Sequence, residues 1–75
     1  MYILRHNDVD GDPRLRHSIW AYYEDEQKPT KEKLVHTLFQ YYDWDKCNRI
    51  ADSLLASGEC EVGDRSGTVF TLEAG

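Results

Sequence analysis

The sequence predicts a small α+β fold in which three helices are followed by a C-terminal β-hairpin. Two amphipathic helical segments are separated by a turn of about three residues, which is typical of paired helices. Gly58 follows the second segment, and two alternating segments joined by glycine-containing turn residues come after it. With 75 residues the chain has room for one domain, so we expect residues 1–75 to fold as a unit.

The composition is typical of a globular protein with an acidic surface. Apolar residues make up 40% of the chain, which is enough to build a core beside the 31% that are charged. Nine Lys and Arg against 14 Asp and Glu give a net charge of −5, which repels nucleic acid unless the basic residues gather on one face. No apolar run approaches the roughly 20 residues that cross a bilayer, and no apolar signal segment is seen. We therefore expect a cytoplasmic protein without a membrane partner.

Residues 1–12 are predicted to form an N-terminal arm or a short strand. The segment from Tyr2 to Arg5 is rich in residues that favour strands, and a turn-rich stretch from Asn7 to Pro13 follows it.

The first helix is predicted over residues 13–25. Asp12 is a good N-cap, and Pro13 suits the first helical position because no N–H is missed there. Trp20 lies off the apolar stripe of this helix, so we expect it to be partly exposed. The stripe consists of four residues at helical spacing: Leu15, Ile19, Tyr22 and Tyr23.

The second helix is predicted over residues 30–42, with Thr30 as its N-cap. Residues 43–45 interrupt the apolar phase and offer two N-caps for a third helix over residues 45–57, which Gly58 ends. The second helix has a wide apolar face, and the third has apolar residues at helical spacing. The apolar positions are Leu34, Val35, Leu38, Phe39 and Tyr42 in the second helix and Cys47, Ile50, Ala51, Leu54 and Leu55 in the third.

Residues 59–73 are predicted to form a β-hairpin around the turn residues 63–67. The alternation should direct four side chains to the helices, and the residues between them to solvent. The inward set is Cys60, Val62, Phe70 and Leu72, and the outward set is Glu59, Glu61, Val69 and Thr71. Cys47 and Cys60 both occupy positions that suit small buried residues, so we expect reduced thiols rather than a disulfide.

This order of elements resembles the winged helix-turn-helix family over residues 13–73. The most specific part is the run 48–59, which looks like a recognition helix that passes through a leucine, a small residue, a glycine and an acid into the wing. The resemblance implies that the third helix enters the major groove of DNA while the wing touches the backbone. The positions carried over by the resemblance are Lys46, Asn48, Arg49, Ser53 and Arg65. As a type, the acidic chain also resembles small phage-encoded inhibitors of host RNA polymerase.

The pattern offers no convincing metal or catalytic site. Residues 6–12 place aspartates before Gly11 as calcium loops do, but His6 and His17 would then fall where such a loop needs Asp and a bidentate Glu. We interpret this stretch as a solvated turn leading into a helix cap. The His and Cys spacings match no zinc motif, and no nucleophile lies beside a plausible base. We expect no metal, no cofactor and no enzymatic activity.

DNA binding and protein binding compete as functions. Lys46, Asn48 and Arg49 on one exposed face suit the reading of base edges and phosphates, although an ordinary salt-bridged helix surface explains them equally well. Asp45 and Asp52 flank that face, and a strong DNA binder neutralises on the order of six to ten phosphates. Few basic residues lie within reach of the phosphates, so a single chain would bind DNA weakly and a dimer would be needed. A repressor or activator that reads double-stranded DNA is therefore the alternative function.

Aromatic residues are more numerous than a core of this size can hide, and aromatic side chains concentrate at protein interfaces. Trp20 and Trp44 are the two that we expect to be exposed for partner binding. We therefore predict a transcription regulator that acts mainly through protein contacts, for example with host RNA polymerase or a regulatory protein. An accessory subunit or a mimic of DNA charge ranks lower, because the acids are scattered rather than arranged in a stripe.

Overall fold

The computed structural model describes residues 1–7, 18–63 and 67–75. In chain order the elements are β1 (Tyr2–His6), β2 (Ile19–Tyr23), α1 (Lys31–Leu38), α2 (Trp44–Ser57), β3 (Glu59–Glu61) and β4 (Val69–Ala74). The four strands form one antiparallel sheet in the order β2-β1-β4-β3. The two helices pack together and cover one face of this sheet.

The N-terminal strand β1 lies in the middle of the sheet, between β2 and β4. Leu4 pairs with Ala21 on β2 and with Leu72 on β4, and its side chain is completely buried. Alternation along the strand places Tyr2 and Leu4 on the side of the helices and Ile3 on the opposite face. The predicted arm or strand at the N-terminus is therefore a central strand, and it organises the sheet.

The core fills the space between the helices and the inner face of the sheet. It contains residues from both helices and from three strands, with partly buried aromatic side chains packed at its margin. The buried set is Leu4, Leu34, Val35, Leu38, Cys47, Ile50, Ala51, Leu54, Cys60, Val62, Phe70 and Leu72.

The predicted fold, three helices followed by a C-terminal hairpin as in a winged helix-turn-helix, is wrong. The first helix was expected over residues 13–25, but Ile19–Tyr23 forms the edge strand β2, and residues 24 and 25 are not helical. Residues 13–17 lie outside the described part of the chain. Ile19–Tyr23 is rich in aromatic and β-branched side chains, which suit a pleated surface, and pairing with β1 outweighs the helical spacing of these residues.

Helix α1 is shorter than predicted and α2 begins one residue earlier. Thr30 caps α1 as expected, because its Oγ1 accepts a hydrogen bond from the Lys33 backbone N–H at 3.3 Å. The helix ends at Leu38, whose carbonyl accepts from the backbone N–H groups of both Tyr41 and Tyr42 and so closes a tight turn. Helix α2 ends at Gly58 as predicted, with φ at 82°, a conformation that glycine adopts without steric cost.

Asp43, rather than Asp45, is the N-cap of α2. Its Oδ1 accepts a hydrogen bond from the Lys46 backbone N–H at 2.8 Å. Replacing Asp43 with alanine should lower the free energy of unfolding by about 1 kcal/mol, because that N–H loses its partner. Urea denaturation followed by circular dichroism measures this loss. The control is Asp45→Ala, which removes an exposed acid from the same turn without removing the cap. Equal losses in the two variants would contradict the assignment of the cap.

The hairpin of residues 59–73 is present as β3 and β4, and the predicted inward-facing residues are confirmed. Cys60, Val62, Phe70 and Leu72 are buried, while Glu59 and Glu61 are exposed. Cys47 and Cys60 are both buried free thiols. Residues 64–66, at the predicted tip of the wing, lie outside the described residues.

One buried thiol and one half-buried phenol predict a loss of stability at alkaline pH. Burial raises the pKa of the Cys47 thiol above its ordinary value of 9.0, and the charge of Asp43 adds to that increase. Burial likewise raises the pKa of Tyr23 above its ordinary value of 10.0, partly offset by its hydrogen bond to Thr37 at 2.8 Å.

Because the unfolded chain releases these protons at lower pH than the native chain, the free energy of unfolding should fall as pH rises through 9.0 and then 10.0. Urea titrations across this range measure the decrease. In the plot of the free energy of unfolding against pH, Tyr23→Phe should reduce the decrease above pH 10.0. Cys47→Ala should reduce the decrease that begins near pH 9.0. Unchanged profiles in both variants would exclude these groups as the cause.

Candidate functional site

The residues of α2 predicted to contact DNA or a partner lie on two sides of the helix, and Asn48 and Arg49 each use one donor atom in a hydrogen bond within the chain. Asn48 Nδ2 donates to the Trp44 carbonyl at 2.8 Å, and Arg49 Nη2 donates to the Val62 carbonyl at 2.8 Å. Lys46 Nζ lies 5.7 Å from the centre of the Tyr42 ring. Ser53 is half-buried, and Arg65 lies outside the described residues. Asn48 lies on the side of α2 that faces α1, whereas Lys46 and Arg49 lie together on another side, and the contacts of all three help to hold the fold together.

The basic side chains near this face are mixed with carboxylates. Lys46 and Arg49 line one shallow concavity together with Asp43 and Asp45. Elsewhere on the helical side of the molecule two lysines form exposed ion pairs: Lys31 Nζ lies 3.0 Å from Asp52 Oδ1, and Lys33 Nζ lies 2.8 Å from Asp25 Oδ2. The Lys33 ammonium lowers the pKa of Asp25, first through its hydrogen bond and then through its charge.

A surface depression with a largely apolar lining lies between the two helices. Lys31 and the residues at positions i, i+3, i+4 and i+7 counted from Glu32 form one wall, on α1 and its exit. Residues at i and i+4 of α2 form the other wall. The groove has a volume of about 410 Å³, within the range of ligand-binding clefts. We call it the interhelical groove. It is lined by Lys31, Glu32, Val35, His36, Phe39, Trp44 and Asn48.

Phe39 and Trp44 stand at the turn end of the interhelical groove. Phe39 is the residue at which α1 stops, and Trp44 is the first residue of α2, held there by the Asp43 cap. Their ring centres are 6.1 Å apart in an edge-to-face arrangement. Phe39 is nevertheless 56% exposed and Trp44 61% exposed. Two large aromatic side chains are thus held in place by local structure without being covered.

Trp44 was predicted as a partner-binding residue, whereas Phe39 was not. Phe39 follows Val35 by four residues and was assigned to the buried stripe of a longer helix. That assignment is wrong: Phe39 keeps helical backbone angles and donates its N–H to the Val35 carbonyl, but its ring lies beside Trp44 outside the core and is 56% exposed. The spacing of apolar residues contains no signal that separates Phe39 from its buried neighbours.

Trp20, the other tryptophan predicted to bind a partner, belongs to an aromatic cluster on the sheet. Its ring centre lies 4.8 Å from that of Phe70, 4.9 Å from Tyr41 and 4.7 Å from His6. The side chain is half-buried against the core. Trp20 and Trp44 therefore lie in different places, and Trp20 serves packing.

The rim of the interhelical groove carries charges of both signs, from Lys31 and Glu32. Lys31 is paired with Asp52, whereas the exposed Glu32 forms no ion pair with any described residue. Val35 and the two aromatic rings give the groove its apolar lining. This arrangement is suited to holding an apolar side chain with polar contacts at its edge.

The described residues form no metal-binding cluster and present no exposed thiol. Across 1–7, 18–63 and 67–75, no three His, Cys, Asp or Glu side chains come together in a way that could hold a metal ion. The two thiols are buried, and the raised pKa of Cys47 disfavours the reactive thiolate. Residues 8–12 of the aspartate-rich stretch lie outside the described part of the chain. Neither described helix has the length and apolar character needed to span a bilayer.

Comparisons with models of protein families, with curated proteins and with solved structures found no match to this chain.

Proposed function

We propose that the protein is a regulator that acts through protein contacts, and that it docks its partner in the interhelical groove. The observation that carries this proposal is the pair Phe39 and Trp44, two large aromatic residues in contact with each other and mostly exposed. Aromatic side chains that are pre-positioned and lose their water on association contribute most to protein interfaces. Since the backbone and the neighbouring ring already restrict both side chains, docking costs little conformational entropy.

A transcription protein such as RNA polymerase is the partner predicted from the sequence, and we keep it as the proposed class of partner. The acidic charge of the chain supports a protein partner over a bare phosphate backbone. An apolar side chain on the partner's surface would enter the groove beside Trp44.

Direct DNA binding is the weaker candidate. Asn48 and Arg49 each have one donor atom engaged within the chain, which limits how they could be placed against bases. Lys31 and Lys33 are paired with carboxylates, which reduces their positive charge towards phosphates. Lys46 lies among acids. The described face therefore offers few free cations for the counterion release that drives DNA binding.

Affinity capture from a host lysate tests the proposal when it is done with matched variants. The wild-type protein should retain a partner that Phe39→Ala/Trp44→Ala fails to retain. Tyr22→Ala is the control, because Tyr22 is 57% exposed on the sheet face that points away from the helices. The proposal would be contradicted if Phe39→Ala/Trp44→Ala recovered as much of the partner as the wild type. Tight binding to a DNA duplex that depends on Arg49 would also contradict it.

A further inference from the structure

We infer that the interhelical groove recognises a peptide segment in which a large apolar side chain is accompanied by a lysine or arginine, and that Glu32 pairs with this basic residue. The inference rests on the proposed function, since it assigns the chemistry of the partner at the same groove.

The apolar part of the segment is set by the lining of the groove. Val35 forms its buried base on α1, and the edges of the Phe39 and Trp44 rings stand above the surface at one end. A volume of about 410 Å³ leaves room for one large side chain and part of its neighbours. Contact with both rings would remove apolar surface that is now in water.

The basic part of the segment is set by the charges around the groove. At the far end Lys31 forms an exposed ion pair with Asp52 at 3.0 Å, so its positive charge is partly balanced within the chain. Glu32 lines the groove, is exposed, and has no ionic partner among the described residues. A carboxylate beside an apolar groove attracts a cation on the incoming segment, and a like-charged segment is disfavoured there.

Charge also argues against a second copy of this chain as the occupant. Each copy carries a net charge of −5. A symmetric dimer through the interhelical groove would bring two chains of like net charge into contact, with Lys31 of each copy already paired. A basic segment from another protein meets no such repulsion.

Selection of peptides from a displayed random library on the full-length protein tests the inference. Enriched peptides should share one large apolar residue with a Lys or Arg within one helical turn of it. Affinity for a selected peptide is then measured by calorimetry against Glu32→Gln, against Trp44→Ala, and against the control Glu61→Gln, an exposed acid on the sheet.

We expect Glu32→Gln to weaken binding about threefold to fivefold at low salt, as exposed ion pairs do, with no effect of Glu61→Gln. Replacing the basic residue of the peptide should cost the same factor for the wild type and nothing further for Glu32→Gln. The difference between the proteins should shrink as salt is added.

The outcomes separate the inference from the function on which it depends. The inference is overturned if the selected peptides lose affinity for Trp44→Ala but contain no basic residue, or if their affinity is unchanged by Glu32→Gln. Either result leaves the docking groove in place. A library that yields no peptide, or only peptides indifferent to Trp44→Ala, overturns both. Self-association in sedimentation that Trp44→Ala abolishes would assign the groove to a second copy instead.

Discussion

Replacing Phe70 with alanine is expected to lower the free energy of unfolding by about 3–5 kcal/mol, the cost of truncating a fully buried phenylalanine. Phe70 has no exposed surface, and its ring lies 4.8 Å from Trp20 and 6.1 Å from Tyr42. It pairs with His6 on β1 and Cys60 on β3, so it joins the two halves of the sheet beneath the helices. Since small domains have a total stability on the order of 5–15 kcal/mol, this variant should be largely unfolded at elevated temperature.

Urea denaturation followed by circular dichroism measures the loss, and tryptophan fluorescence should report the release of Trp20 from the same cluster. Val69→Ala is the matched control, because Val69 is the preceding residue of β4 and is only half-buried on the opposite face. We expect that control to lose about 1 kcal/mol or less. A Phe70→Ala loss no larger than that of Val69→Ala would contradict the packing described for the sheet.

Replacing Phe39 and Trp44 together with alanine should abolish partner binding while leaving the fold intact. Hot-spot aromatic residues contribute about 2 kcal/mol or more each, so either single variant should weaken binding at least about 30-fold. The cost to stability should stay within about 0.5 kcal/mol, because both side chains are more than half exposed and alanine is a good helix former at the Trp44 position.

Calorimetry with the captured partner measures the binding loss, and thermal unfolding of the same samples measures stability. Tyr22→Ala removes an aromatic side chain of similar exposure from the other side of the molecule and should bind normally. A groove variant that binds within twofold of the wild type would remove Phe39 and Trp44 from the interface.

The second half of the chain was more predictable than the first, because its signals are local. Asp43 and Gly58 mark the two ends of α2 with side-chain and backbone chemistry that needs no distant partner. The alternation that buries Phe70 is likewise local, since one face of the hairpin must be apolar. The predicted start of α2, residue 45, differs from the observed start by one residue.

The strand β2 could not be predicted in the same way, because its conformation depends on β1. Ile19, Tyr22 and Tyr23 fit a helical stripe as well as a strand, and pairing of Tyr23 with Tyr2 and of Ala21 with Leu4 selects the strand. Such pairing joins residues distant in sequence, so no local window contains it. The winged-helix interpretation failed at this point, because it required a helix at residues that form the edge strand β2.

Of the two aromatic residues at the candidate site, the sequence indicated Trp44 but not Phe39. Trp44 lies at a helix start, which the caps revealed, whereas Phe39 keeps its helical spacing and is exposed because its ring lies outside the core that α1 forms with α2 and the sheet. The internal hydrogen bond of Arg49 to Val62 depends on how α2 meets the hairpin, and no residue pattern indicates it.

An amide chemical-shift map of the labelled protein with its captured partner tests the central claim most directly. Docking in the interhelical groove predicts that the largest shifts cluster at Val35, His36, Phe39, Trp44 and Asn48. Shifts concentrated on Lys46, Arg49 and Ser53, or on the outer sheet face around Arg5 and Thr71, would contradict it.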